Sequence, residues 1–219
     1  MSLNKQKGQM YPWVTHTWNP IRGKCPHDCT YCYMKRFKVG DLRLDEKALK
    51  DNLGQGNTIF VGSSTDMWAE GVKNSWIGDV LSRCQQYPEN TYVWQSKNPK
   101  RFFEWFYFFK SKMLWGTTIE TNDTVLLMDF SRAPSVYSRM EGIALHRPNF
   151  VSIEPIMDFN LIIFLHYLKG IQPSFVSIGA DSQHHHLPEP PPEKIKELIQ
   201  ELQKFTEVKV KPNLKRLLS

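Results

Sequence analysis

Short runs of apolar and β-branched residues recur along the chain, each followed by a stretch with helical spacing. They predict strands at Trp13–Thr17, Thr58–Val61, Tyr92–Gln95, Met113–Thr118, Phe150–Glu154, Phe175–Ile178 and Val208–Val210. Several are apolar at consecutive positions, the pattern of parallel strands covered on both faces. Between them, Trp76–Gln86 reads as helix. Asn98 as N-cap with Pro99 behind it opens a helix over Arg101–Lys110. Asp123 is placed to cap a helix through Leu127. Pro192 opens one whose Ile195, Leu198, Ile199, Leu202 and Phe205 share a face. Alternating strands and helices predict an α/β fold with a parallel sheet and right-handed crossovers. A closed eight-stranded barrel takes about 250 residues. Six or seven units in 219 residues therefore predict an incomplete (β/α)6-type parallel barrel, as one domain over residues 1–219.

Phe150-Val-Ser-Ile is echoed by Phe175-Val-Ser-Ile after 25 residues, about one β/α unit. Two such strands would end on the same rim of one sheet, although an echo of four residues also arises by chance.

The composition, 41% hydrophobic and 23% charged, is that of a folded globular chain rather than a disordered one. The longest apolar run, Leu161–Leu165, is far short of a membrane span, and the first residues lack the apolar core of a signal peptide. A reducing, cytoplasmic setting and no membrane partner are expected. Net charge is +6. Residues 1–50 hold ten Lys/Arg against four Asp/Glu, and residues 201–219 five against two. The basic balance thus sits at the N-terminal end and in the tail, about 206–219. Solvated surface and a polyanionic partner, either nucleic acid or a nucleotide, both account for it. The aromatic run Phe102–Phe109 lies beside Lys100, Arg101 and Lys110. Such aromatics could stack bases, but a helix this aromatic is expected to pack against the sheet, with Trp105 or Tyr107 as exposed exceptions.

The chemistry concentrates in Cys25-Pro-His-Asp-Cys29-Thr-Tyr-Cys32. Soft thiolates select iron–sulfur clusters or zinc over hard cations. Three of them can hold three irons of a [4Fe–4S] cluster and leave the fourth open to a ligand. Structural zinc wants four ligands, usually in paired spacing. A fourth here would have to be Cys84, His27 or His16, and Cys84 falls in a predicted helix, where a lone cysteine reads as a small buried hydrophobe. His184–His186 could bind metal or be a solvated loop.

This run resembles the signature of radical S-adenosylmethionine (SAM) enzymes, C-x3-C-x-aromatic-C, with Tyr31 as the aromatic. The resemblance implies a cluster loop at about 18–36, after the first strand, with Cys25, Cys29 and Cys32 as its ligands. It further implies SAM bound at the open iron, an external one-electron reductant of the flavodoxin or ferredoxin type, and reductive cleavage of SAM to a 5′-deoxyadenosyl radical. Tyr31 would pack near the adenine.

In parallel β/α folds ligands sit at the C-terminal ends of strands, so those ends supply the other candidates. Ser63, Ser64, Thr65 and Asp66 stand where the family's "GGE" segment binds the methionine ammonium. Ser96 and Lys97 end the third predicted strand; Thr117, Thr118 and Glu120 end the fourth, with hydroxyls and a carboxylate suited to SAM. Ser152 and Glu154 end the fifth, and an acid on a buried strand is costly unless paired. Gly179–Asp181 end the sixth, and Lys209, Lys211 and Asn213 could reach over the mouth. Together with Trp18-Asn-Pro, these motifs resemble the branch holding spore photoproduct lyase and phage proteins of the Gp37/Gp68 type. That branch implies chemistry on a nucleic-acid base or nucleotide, by repair or modification. The lyase's hydrogen-donor cysteine cannot be placed on this sequence, because the one further cysteine, Cys84, falls in a predicted helix. A glycyl-radical activating enzyme acting on a protein partner, and a zinc-stabilised nucleic-acid binder that is not an enzyme, remain as alternatives.

Overall fold

The computed structural model describes residues 3–7, 10–108, 112–145 and 150–219. Among the described residues ten strands form two sheets. They are β1 (Leu3–Lys5), β2 (His16–Trp18), β3 (Ile21–Arg22), β4 (Arg43–Leu44), β5 (Thr58–Val61), β6 (Thr91–Ser96), β7 (Lys112–Thr118), β8 (Phe150–Ile153), β9 (Phe175–Ile178) and β10 (Glu207–Val210). The main sheet runs β1-β2-β5-β6-β7-β8-β9-β10, and β3 pairs with β4 alone. Within the main sheet every pairing from β2 to β10 is parallel and β1 pairs antiparallel; β3 and β4 are also antiparallel. Helices α1 (Asn74–Gln85), α2 (Thr124–Met128), α3 (Val136–Ala144), α4 (Leu161–Ile171) and α5 (Pro192–Gln203) fill the crossovers, with a 3-10 helix at Pro99–Phe108 between β6 and β7.

Neighbouring parallel strands that follow chain order are the topology of a barrel, and side chains show that the sheet curls. Tyr11 Oη donates to Gln95 on β6 at 2.9 Å, while Lys211 Nζ, just past β10, lies 4.5 Å from the Tyr11 ring. In a flat sheet those strands would be about 19 Å apart at the usual spacing. The edges β1 and β10 do not pair with each other among the described residues. The result is an open, incomplete barrel in a single α/β unit, as the strand pattern predicts.

Alternation along each strand sorts the core into two layers. Phe60, Val93, Phe150 and Phe175 point inward and meet Tyr11 and Val14, closing the floor. Ile59, Tyr92, Trp94, Val151, Ile153, Val176 and Ile178 point outward into the larger core beneath the helices. The echoed segments lie side by side in register, Phe150 against Phe175 and Ile153 against Ile178. Their two inward rings stack at 5.3 Å. Gly116 admits the Phe150 ring, since a Cβ there would sit 2.3 Å from it.

Several expectations are corrected. The first strand is His16–Trp18 rather than Trp13–Thr17, because Trp13 turns onto the floor against Phe150 and Phe175 at 5.9 and 5.7 Å. The helix expected over Arg101–Lys110 is a 3-10 helix from Pro99 to Phe108, and Phe109 and Lys110 lie outside the described residues. With three residues per turn, only Pro99, Phe102 and, in part, Trp105 reach the core. Phe103, Phe106, Tyr107 and Phe108 are exposed, so the aromatic run is mostly not core. The Asn98 side chain donates to the Trp68 carbonyl at 3.1 Å. Asp123 caps α2 as expected, accepting from Leu126 N at 3.0 Å. Cys84 is a buried residue of α1. No helix among the described residues is long and apolar enough to cross a membrane.

Candidate active site

The C-terminal ends of the parallel strands form one rim, and the loop after β2 brings the three cysteines to it. Successive turns wrap that loop, with Asp28 N donating to Cys25 O at 3.1 Å, Cys32 N to Cys29 O at 3.2 Å and Lys35 N to Cys32 O at 2.9 Å. Asp28 adopts a positive φ of 44° inside it. All three thiols are free; Cys29 is buried and the other two half-buried. Cys29 Sγ lies 3.1 Å from Ser131 Oγ and 3.3 Å from Lys97 Nζ.

Lys97 belongs to a buried charge network. Its Nζ also meets Tyr31 Oη at 2.8 Å and Glu120 Oε1 at 2.6 Å. Tyr31 donates a short hydrogen bond to Glu120, and Arg139 Nη1 holds the other Glu120 oxygen at 2.7 Å. Glu120 and Arg139 are wholly buried. Burial pushes the Glu120 carboxyl up, but Arg139 and Lys97 outweigh it and hold it well below the ordinary carboxylate range. Burial works against the Lys97 charge, yet Cys29, Glu120 and Tyr31 together hold its pKa well above the usual value. The Cys25 thiol is pushed up to about 12 by burial and by the Asp66 carboxylate.

Asp66 pins the cysteine loop to the sheet. Its Oδ2 accepts from Ser96 Oγ at 2.8 Å and Lys97 N at 2.9 Å, and meets His27 Nε2 at 2.8 Å. Its Oδ1 accepts from Trp68 N at 3.0 Å. The neighbouring turn is tied in the same way. Asn19 Oδ1 accepts from Ser64 N at 2.8 Å and from the Ser63 and Ser64 hydroxyls at 3.2 and 3.0 Å, while Thr65 Oγ1 donates to Gly23 O at 2.9 Å. The hydroxyls expected to face SAM therefore brace one loop against another.

The remaining predicted residues divide between scaffold and lumen. Ser96 and Thr117 are buried in the scaffold, where Thr117 Oγ1 donates to Ser96 O at 2.8 Å. Thr118, Ser152 and Glu154 face the lumen. Gln95 Nε2 donates to Thr118 Oγ1 at 2.8 Å. Glu154 meets Lys211 Nζ at 2.5 Å and accepts from Asn213 Nδ2 at 3.1 Å. Thus the tail does place a basic side chain over the mouth. Gly179 makes room for this carboxylate, since a Cβ would lie 2.6 Å from Glu154 Oε1. His185 of the histidine loop meets Asp181 at 2.8 Å, and His184 and His186 are exposed.

Four residues that matter here are absent from the sequence-based candidates for cofactor contact: Arg139, His27, Ser131 and Asn19. Arg139 had a readable signal, because its helical neighbours Val136 and Ile143 are apolar and place it on the buried face of α3. Ser131 lies in a loop without any such pattern.

The cysteine loop suits an iron–sulfur cluster by donor chemistry. Three thiol sulfurs share a short wrapped loop, and an ammonium stands against the most buried of them. No three His, Cys, Asp or Glu side chains among the described residues gather as a single ion would need. Thiolates that each bind a different iron need no common point.

No protein-family model matches the sequence, and no curated protein matches it. Solved structures do match in fold. The fold is similar to that of spore photoproduct lyase and of SuiB, a protein solved with S-adenosylmethionine bound. Among its neighbours is spore photoproduct lyase complexed with dinucleoside spore photoproduct, at a TM-score of 0.64 and 10% identity, covering 94% of this chain and 78% of that one. A variant of that lyase with bound AdoMet and the same dinucleoside gives 0.58 and 11%, over 91% and 64%. SuiB of Streptococcus suis bound to S-adenosylmethionine gives 0.55 and 10%, over 89% and 49%.

Proposed function

We propose that this chain is a radical SAM enzyme acting on a nucleic-acid base or nucleotide. The observation that carries the reading is the three-cysteine loop at the C-terminal end of β2, on the rim of an open parallel barrel, with Lys97 Nζ 3.3 Å from Cys29 Sγ. Cys25, Cys29 and Cys32 would hold a [4Fe–4S] cluster. With SAM bound beside it, such a cluster would supply one-electron reduction of the cofactor.

The chain's own residues do the positioning. Lys97 and Ser131 orient Cys29, and the Lys97 ammonium offsets the negative charge of the thiolates. Asp66 fixes the loop through His27. Arg139 and Glu120 hold Lys97 and Tyr31 in place without solvent, so no reorganisation is needed when ligands arrive. On the opposite side of the lumen, Glu154, Lys211, Thr118 and Ser152 offer acceptors and donors to a polar substrate. The Ser63–Asp66 turn, Thr117 and Glu120 support the SAM site mainly by bracing its walls. A reductant of flavodoxin or ferredoxin type would approach the cluster loop from outside. The neighbour crystallised with a dinucleoside favours a nucleotide substrate over a protein one.

The test is to incubate anaerobically reconstituted protein with SAM, reductant and separate pools of DNA, RNA, nucleotides and a candidate protein partner. The expected result is 5′-deoxyadenosine release with a mass change in a nucleic-acid pool, and neither with Cys29→Ala. A mass change or radical signal confined to the protein pool would replace this reading with the activating-enzyme one.

A further inference from the structure

The outer side of the cysteine loop carries a surface that the site itself does not use. Residues 22–43 hold six Lys/Arg against two Asp. The segment is an anchored excursion: β3 and β4 pair at its neck, and Lys24 N donates to Gly40 O at 2.9 Å. Directly after Cys32, a 3-10 turn (Tyr33–Arg36) and the residues that follow it present three apolar side chains to solvent, Tyr33, Phe37 and Val39, which are 39, 51 and 39% exposed.

Arg36 lies between the two rings, its guanidinium 5.9 Å from the Tyr33 centroid and 5.0 Å from that of Phe37. Tyr33 is fixed to the rim, since its Oη donates to Ser63 O at 3.0 Å. Lys35 and Arg132 share Asp28 at 2.8 and 3.9 Å. Arg36 and Lys38 have no carboxylate partner among the described residues. Exposed rings interleaved with unneutralised cations are what an unpaired nucleic-acid strand needs, because bases stack on rings and phosphates meet the charges. An acidic protein would use the charges but has no need of two exposed rings flanking a guanidinium.

We propose that the Tyr33–Arg36–Phe37 face is a stacking platform for a single-stranded nucleic acid, holding nucleotides that flank the one in the barrel. This rests on the nucleic-acid reading above and adds where the strand lies.

The experiment measures binding of a short labelled oligothymidylate to the reconstituted protein by fluorescence anisotropy at low and moderate salt. Phe37→Ala and Phe37→Leu should each weaken binding about tenfold, since a leucine is apolar but cannot stack. Arg36→Glu should weaken it at least as much and flatten the salt dependence. Lys196→Glu on α5 makes the same charge change elsewhere and should alter binding less than about twofold. Wild-type binding that all three loop variants retain would overturn the platform and leave the function standing. Absence of binding by the wild type to any oligonucleotide would overturn the platform and the nucleic-acid half of the proposed function, and leave a free nucleotide as the substrate. Unchanged oligonucleotide binding with slowed cluster reduction by an acidic flavodoxin would reassign the face to the reductant.

Discussion

Glu120 and Glu154 both stand at the C-terminal ends of parallel strands, and both are natural candidates for ligand contact, yet their surroundings differ. Glu120 is wholly buried, with Arg139, Lys97 and Tyr31 on its two oxygens. Glu154 has Lys211 and Asn213, and its side chain keeps 21% of its exposure. One carboxylate is part of the wall that holds the cysteine loop; the other faces the space a substrate would enter. Position at a strand end therefore does not decide the role. The partners do.

The largest expected effect comes from breaking the closed side. Glu120→Ala leaves Arg139 and Lys97 facing each other unpaired in the interior, and should cost about 3–5 kcal/mol in denaturant unfolding. Arg139→Ala should cost a similar amount, by stranding Glu120. A loss under about 1 kcal/mol for either would mean that water or another group already compensates the charge.

The same network fixes a pH dependence. The Glu120 carboxyl is held below its ordinary value of 4.5 in the folded state. Its contribution is therefore complete above about pH 4.5 and is lost as pH falls through the folded pKa. Wild-type stability should decline below that point. Glu120→Gln should start lower and decline less over the same window, and parallel curves would place the acid sensitivity elsewhere.

Asp66 comes next. Asp66→Ala removes the acceptor of His27, Ser96 and Lys97 N, at about 1–3 kcal/mol. Because His27 lies between two of the cysteines, the variant should also retain less iron after reconstitution. Full iron retention would show that His27 does not position the loop.

The open side should respond least in stability. Glu154→Gln keeps the shape and loses one partly exposed ion pair, about 1 kcal/mol or less. Its effect should appear in substrate turnover instead. If stability falls as far as for Glu120→Ala, the contrast between the two carboxylates is wrong.

Most of the barrel was legible because parallel strands buried on both faces leave a strong local mark, as in the two Phe-Val-Ser-Ile segments that lie in register. β1, with Leu-Asn-Lys, has no such mark, and β3 and β4 are two-residue pairings. Trp13 and Val14 read as strand because they are apolar, but a barrel floor wants apolar residues too, and it claims them. The cysteine loop was legible because its C-x3-C-x2-C spacing is local. The bracing of Ser63 and Ser64 by Asn19, and of Thr65 by Gly23 O, was not, since it depends on a loop more than 40 residues away. Arg139 lies on α3, more than 100 residues along the chain from the cysteines, and only the folded arrangement joins it to them.

The most direct test of the central claim is the iron and sulfide content of anaerobically reconstituted protein, followed by 5′-deoxyadenosine release from SAM on reduction. About four irons per chain, with 5′-deoxyadenosine formed, is the predicted result. One zinc per chain and no cleavage of SAM would contradict it and leave a metal-stapled binding protein on the same fold.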